Sequence, residues 1–100
     1  GIKMKDIKIP LIESPSHGRA KISYYDLKGW NITLKEFSNF SFYNPSNACV
    51  YLEEDCDAPK LKKLLEERGL KVSWKDTYRE NFVPSENPKF FYLDEVKEAV

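Results

Sequence analysis

Four carboxylates follow an apolar segment near the middle of the chain, at Glu53, Glu54, Asp55 and Asp57. Hard cations such as Mg²⁺ prefer carboxylate oxygens, and ligands commonly bind where a strand gives way to a helix in an α/β unit. The segment is therefore the first candidate for metal-dependent chemistry. Its spacing does not match an EF-hand loop, and no histidine or second acidic cluster is placed to complete a magnesium or nuclease site.

The same carboxylates have a structural interpretation, which we favour. Asp57 stands where it can cap a helix that begins near Pro59, and Glu54 and Asp55 would then lie close to the positive end of that helix. Each such interaction contributes about 0.3–1 kcal/mol. We therefore expect no metal and no cofactor at this segment.

Two further side chains could act as a base or a nucleophile. His17 lies beside Ser14 and Ser16, and imidazole is a common general base, but no third member of a catalytic triad is identifiable. Cys56 would lie near a helix N-terminus, which lowers a thiol pKa, whereas the carboxylates around it raise that pKa. We expect a structural hydrogen bond at His17, and we expect Cys56 and Cys49 to be reduced packing residues.

Aromatic residues make up 14% of the chain and are concentrated in two runs. These runs contain more rings than one small core needs, so some should be exposed, where rings anchor protein partners or stack on unpaired bases. The acidic segment is a second candidate surface, which could engage a basic groove. The candidate partner-binding residues are therefore Phe40, Phe42, Tyr43, Phe91, Tyr92, Glu53, Glu54 and Asp55.

A strand, a helix and a second strand must position the acidic segment. Alternating apolar residues predict strands over 48–52 and 70–75. Between them, leucines at i, i+3 and i+4 predict an amphipathic helix over 58–68, which Gly69 ends.

Earlier in the chain, alternation predicts strands over 7–12 and 20–24. Proline lacks the N–H of an interior strand residue, so Pro10 predicts that the first strand lies on a sheet edge. A single helical turn should follow the second strand and stop at Gly29.

A hairpin is predicted next, because the turn signal at 44–47 joins a strand over 37–43 to the strand over 48–52. Polar residues predict a long loop over 76–88. After it we expect a short terminal helix with Leu93, Val96 and Val100 facing inward.

These elements predict an α+β fold: one small domain over 1–100 with a mainly antiparallel sheet and a central strand-helix-strand unit. A hydrophobic content of 41% excludes a disordered chain. No apolar run approaches the roughly 20 residues of a membrane span, and residues 1–6 lack the apolar region of a signal peptide. We therefore expect a cytoplasmic protein with no membrane partner.

The segment at 14–18, followed by the segment at 51–57, resembles a pattern in small uncharacterised proteins of bacteriophages and other mobile elements. That group has no established activity, so no functional residue is carried over. The resemblance implies a context, because stand-alone phage proteins of this size often disable a host enzyme or defence system by binding it, as anti-CRISPR and antirestriction proteins do.

The function expected from these observations is non-enzymatic binding of a host protein, with inhibition of a bacterial defence system as the specific hypothesis. One alternative is a small metal-dependent enzyme or nucleotide-binding domain that uses the acidic segment. Another is a nucleic-acid-binding module that uses lysines and aromatic residues on the sheet. The formal net charge of zero disfavours the last of these.

Overall fold

A sheet of six strands organises the chain in the computed structural model, which describes residues 5–15 and 17–97. Two 3₁₀ turns, Leu34–Glu36 and Pro84–Glu86, lie in its connections. The strands are β1 (Lys5–Glu13), β2 (Arg19–Ser23), β3 (Phe42–Asn44), β4 (Cys49–Glu53), β5 (Leu70–Tyr78) and β6 (Phe91–Tyr92), and the helices are α1 (Tyr24–Gly29), α2 (Asp57–Glu67) and α3 (Leu93–Val96).

The strands lie across the sheet in the order β5-β1-β2-β4-β3-β6. β1 and β5 are parallel, and every other neighbouring pair is antiparallel. The predicted α+β class with a mostly antiparallel sheet is confirmed. The β4-α2-β5 unit is also confirmed, although β1 and β2 lie between its two strands.

The predicted edge position of the first strand is wrong, because β1 lies between β5 and β2. Its parallel ladder with β5 runs along the whole of Lys5–Glu13. Its ladder with β2 contains only two residue pairs, starting at Leu11. The ring nitrogen of Pro10 has no hydrogen to donate, so the proline shortens the pairing with one neighbour and leaves the strand inside the sheet.

Local signals explain the start of α1 and the end of α2. Ser23 accepts a hydrogen bond from the backbone N–H of Tyr25 at 3.2 Å and thereby caps α1. Gly69 follows α2 with a φ of 81°, in the left-handed region that glycine adopts without strain. On the inner face of α2, Leu61 and Leu65 are fully buried.

The main core lies on the face of the sheet that packs against all three helices. It contains Ile9, Ile22, Val50 and Leu52 from the strands, and Leu27, Leu61, Leu65 and Leu93 from the helices. A smaller cluster on the opposite face consists of Ile12, Phe42 and Tyr51, covered by Phe82 and Phe90 from the loop after β5.

Two boundaries differ from the predictions, and the terminal helix agrees where it is described. The strand predicted over 37–43 is reduced to β3, because the preceding residues form a turn and the 3₁₀ segment Leu34–Glu36. β5 continues to Tyr78, supported along its length by the parallel ladder with β1. Leu93 is buried as predicted and Val96 packs against the main core, whereas Val100 lies outside the described residues.

Candidate functional site

Glu53 lies at the end of β4 and uses its carboxylate to hold the following turn. Asp55 N–H donates to Oε1 and Cys56 N–H donates to Oε2, both at 2.8 Å. Burial alone would raise the pKa of the Glu53 carboxyl, but these two donors and the nearby Arg19 guanidinium hold that pKa below its usual range. With 8% of its surface exposed, Glu53 is not accessible as a partner-binding side chain.

Glu54 connects the two segments on which the phage-protein resemblance depends. The backbone N–H of Gly18 donates to Glu54 Oε1 at 3.1 Å, and the N–H of Glu54 donates to the Gly18 carbonyl at 3.2 Å. A side chain at position 18 would collide with the Glu54 carboxylate. Any larger residue at position 18 would force the Glu54 carboxylate to move, and the reciprocal pair ties the 14–18 turn to the end of β4.

The predicted helix cap at Asp57 is wrong. The N-cap of α2 is Cys56, which makes no side-chain capping bond, and Asp57 is the first helical residue. Its buried carboxylate accepts from Ser38 N–H at 3.0 Å, from Ser38 Oγ at 2.7 Å and from Ser41 Oγ. Asp57 therefore fastens the start of α2 to the segment before β3, a long-range role that helical spacing does not reveal.

Ser41 extends this network back to β4. Its hydroxyl is fully buried, donates to Asp57 and accepts from the backbone N–H of Glu53 at 2.9 Å. Two of the four carboxylates of the acidic segment are thus buried and engaged by protein donors. In the described part of the chain, no group of three His, Cys, Asp or Glu side chains is arranged to hold a metal ion.

Asp55 and Cys56 are the exposed members of the segment. The expected packing role of Cys56 is wrong, because its side chain faces solvent in the 54–56 turn. Partial desolvation, followed by the carboxylates of Glu53 and Asp57, raises the pKa of the Cys56 thiol above its usual value. Raising this pKa lowers the thiolate fraction and hence the nucleophilicity of Cys56.

The remaining candidates for a base or a nucleophile are His17, in the 14–18 turn, and Cys49, on β4. The backbone N–H of His17 donates to Ser14 Oγ at 3.4 Å, and Ser14 Oγ donates to the His17 carbonyl at 3.0 Å. Both bonds involve the backbone of His17, so the structural hydrogen bond expected for its imidazole stays a prediction. Ser16 lies outside the described residues. Cys49 is a free, half-buried thiol on β4, and burial raises its pKa.

Arg19 is a buried cation that the sequence does not single out. Its guanidinium lies 4.8 Å from the centre of the Phe42 ring, and Nη1 donates to the Phe40 carbonyl at 2.7 Å. Burial lowers the pKa of Arg19, while the Glu53 carboxylate next to it on β4 favours the charged form. Arg19 therefore supports both the acidic turn and the aromatic segment before β3.

The five candidate rings divide into two groups. Phe42 and Tyr43 are 3% and 8% exposed and pack on opposite faces of β3, so neither is available to anchor a partner. Phe40, Phe91 and Tyr92 are 66%, 37% and 41% exposed. We refer to these three exposed rings as the aromatic edge, because they lie along the β3-β6 margin of the sheet.

The aromatic edge is held by specific contacts. The Tyr92 ring lies 4.6 Å from the Phe42 ring, centre to centre. The N–H of Leu93 donates to the Ser41 carbonyl at 3.2 Å, and the N–H of Asp94 donates to Asn39 Oδ1 at 3.0 Å. The segment that contains Phe40 is therefore fastened to the start of α3, directly after β6.

The loop at 79–90 covers only half of the second sheet face. Phe82 and Phe90 pack on Tyr51, with ring centres 5.4 and 5.0 Å from it. Strand alternation places four lysines on the other half. Asp6 lies opposite Lys71 on the same face, and Glu53 lies two residues from Tyr51, the partner of Lys21. We call this the lysine half-face, and its lysines are Lys8, Lys21, Lys71 and Lys75.

Comparisons with known proteins found no matching family model, and no curated protein or solved structure with significant similarity. Within residues 5–15 and 17–97, no helix combines the length and the apolar character needed to cross a membrane.

Proposed function

We propose that this chain is a non-enzymatic protein-binding module that uses the aromatic edge to contact a protein in the cytoplasm of a bacterial host. The observation that carries the proposal is the exposure of Phe40, Phe91 and Tyr92 on a margin of the sheet that is otherwise well fastened. Aromatic residues are enriched among the few side chains that supply most of the energy of protein interfaces.

Preorganisation supports a binding role for these rings. Ordering a side chain at an interface costs about 0.5–1.5 kcal/mol. Part of that ordering is already present here, because the Tyr92 ring packs on Phe42 and Arg19 holds the Phe40 carbonyl. A partner would therefore meet rings whose backbone is already in place.

The use of the acidic segment also favours binding over catalysis. Glu53 and Asp57, the carboxylates first considered for metal-dependent chemistry, accept hydrogen bonds from the protein's own backbone and serines. Inhibition of a bacterial defence system, as anti-CRISPR and antirestriction proteins achieve it, is the specific form of the proposal. That part rests on the phage-protein resemblance alone.

The test is a pull-down from bacterial lysate followed by measurement of affinity for the retained protein. We expect one stoichiometric host protein, and we expect Phe40→Ala and Tyr92→Ala each to weaken its binding about 30-fold, the equivalent of about 2 kcal/mol. Matched controls are Tyr25→Ala and Tyr78→Ala, since these tyrosines are 68% and 65% exposed and lie outside the aromatic edge. Equal weakening by the controls, or normal binding by both edge variants, would contradict the proposal.

Nucleic-acid binding is a second candidate, favoured by the lysine half-face. Lys75 lies opposite Pro10 on β1, and Lys21 lies opposite Tyr51 on β4, so strand alternation places the four lysine charges on one face of the sheet. This function predicts an affinity for DNA or RNA that falls steeply with salt and weakens in Lys8→Ala and Lys75→Ala variants. Absence of salt-dependent binding in fluorescence polarisation would exclude it.

A further inference from the structure

A cavity of about 600 Å³ lies beside α1 and the residues that follow it. Its volume is within the range of about 300–1,000 Å³ that is typical of small-molecule sites. Buried Ile32 and Leu34 contribute to its wall, and the remaining lining is aromatic, polar or cationic. The side chains used in the argument are Tyr24, Lys28, Asn31, Thr33, Lys35 and Lys97.

The charge of this cavity is one-sided. Three lysines line it, and no Asp or Glu does. Lys97 is already engaged, because its Nζ lies 3.0 Å from an Asp94 carboxylate oxygen and donates to the Phe37 carbonyl at 2.7 Å. In the described residues, Lys28 and Lys35 have no carboxylate within salt-bridge distance, so their positive charge is available to a ligand.

Neighbouring carboxylates do not neutralise these two lysines. Glu36 follows Lys35 in the chain, but its carboxylate pairs with Lys60 at 3.2 Å. Lys28 Nζ instead lies over the Tyr24 ring, 5.7 Å from its centre. A cation–π contact of this kind positions the ammonium group without cancelling its charge.

Polar groups next to the lysines can donate further hydrogen bonds. Asn31 has a φ of 60° and its N–H donates to the Lys28 carbonyl at 2.9 Å, which fixes the turn after α1. The side chains of Asn31 and Thr33 are exposed and make no hydrogen bond to any described residue. The half-buried Tyr24 ring makes an edge-to-face contact with the Tyr43 ring, with 6.0 Å between the ring centres.

We propose that this cavity binds a small organic phosphate, with the phosphate between Lys28 and Lys35 and the organic part against Tyr24 and the apolar wall. Phosphate suits the site because it carries up to two negative charges and several acceptor oxygens, which compact ammonium groups and nearby amide and hydroxyl donors can satisfy. A concave site of this size favours a small molecule over a macromolecular surface. The inference is independent of the protein-binding function proposed above.

Titration calorimetry with four probes tests the proposal: AMP, ribose 5-phosphate, inorganic phosphate and adenosine. We expect the two organic phosphates to bind at least 10-fold more tightly than either inorganic phosphate or adenosine. Equal binding of inorganic phosphate would overturn the proposal, because the organic part would then contribute nothing. Equal binding of adenosine would overturn it too, because the lysines would then be unused.

The variant Lys28→Ala/Lys35→Ala should weaken binding of AMP at least 10-fold. The charge-matched control is Lys63→Ala/Lys89→Ala, whose lysines are exposed on α2 and in the 79–90 loop, and it should bind AMP normally. All four lysines are exposed, so both double variants should retain the wild-type melting temperature.

Amide chemical shifts on adding AMP to the unmodified protein provide a readout that does not depend on variants. We expect the shifts to concentrate between Tyr24 and Lys35. Absence of heat and of shifts at millimolar AMP, or equal weakening by the control variant, would overturn the assignment of an organic-phosphate site.

Discussion

Replacement of Asp57 by alanine distinguishes the network observed here from a simple helix cap. In the structure the Asp57 carboxylate accepts from the N–H and hydroxyl of Ser38 and from the hydroxyl of fully buried Ser41. A hydrogen bond to a charged group contributes about 1.5–3 kcal/mol, and a buried donor left without a partner costs about 1–3 kcal/mol. A lost helix cap costs typically about 1 kcal/mol.

We therefore expect Asp57→Ala to lower the free energy of unfolding by about 3 kcal/mol, about three times the loss from a cap alone. For a domain of this size, that change lowers the melting temperature by about 12–24 °C. Urea denaturation followed by circular dichroism measures the free energy directly. The matched control is Asp55→Ala, which removes an exposed carboxylate from the same segment and should leave the denaturation midpoint unchanged.

A double-mutant cycle measures how much of this loss comes from the contact between Asp57 and Ser41. Asp57 and Ser41 are in direct contact, so the loss in Asp57→Ala/Ser41→Ala should be smaller than the sum of the two single losses, by at least about 0.5 kcal/mol. Additive losses, or a cost for Asp57→Ala no larger than that of a cap, would refute the network as the reason for burying this carboxylate. EDTA and Mg²⁺ should leave the melting temperature unchanged, whereas a clear rise with Mg²⁺ would make the acidic segment a cation site.

Three further predictions concern single residues. The pKa of the Glu53 carboxyl is lower in the folded protein than its ordinary value of 4.5. The ionised carboxylate should therefore stabilise the fold fully above pH 4.5, and this stabilisation should be lost as the pH falls through the folded pKa. Urea denaturation midpoints measured between pH 7 and pH 3 should accordingly fall less steeply in Glu53→Gln than in wild type. Tyr43→Ala should lower the free energy of unfolding by about 3–5 kcal/mol because the ring is buried, whereas Phe40→Ala should change it by no more than about 0.5 kcal/mol. Equal losses of stability in thermal melts of the two variants would contradict the assigned burial. Gly18→Ala should lower the melting temperature because the new methyl group displaces the Glu54 carboxylate, and a melting temperature equal to that of wild type would show that this contact is unimportant.

Elements whose signals are local were predictable from the sequence. The leucine spacing, the alternation on either side of it and Gly69 predicted β4, α2 and β5, because helix and strand periodicity depend on neighbours within a few residues. The helical turn that stops at Gly29 and the turn between β3 and β4 were predictable for the same reason.

Features that depend on distant residues were decided only by the tertiary structure. Pro10 suggested an edge strand, but the position of β1 inside the sheet comes from its pairing with β5, about 65 residues later in the chain. Asp57 stood where a helix cap is expected, but its hydrogen-bond partners lie 16 and 19 residues away.

The accessibility of the candidate site depended on packing in the same way. Strand alternation places Phe42 and Tyr43 on opposite faces of β3. It does not show that the helices cover the face with Tyr43, or that Phe82 and Phe90 of the 79–90 loop cover the face with Phe42. Composition likewise showed a net charge of zero and concealed both the lysine half-face and the cationic cavity beside α1. Residue types and local spacing therefore determined the helices and strands. Burial and local charge depend on segments that are distant in the sequence and packed together in the fold, so long-range packing determined which side chains a ligand or partner can reach.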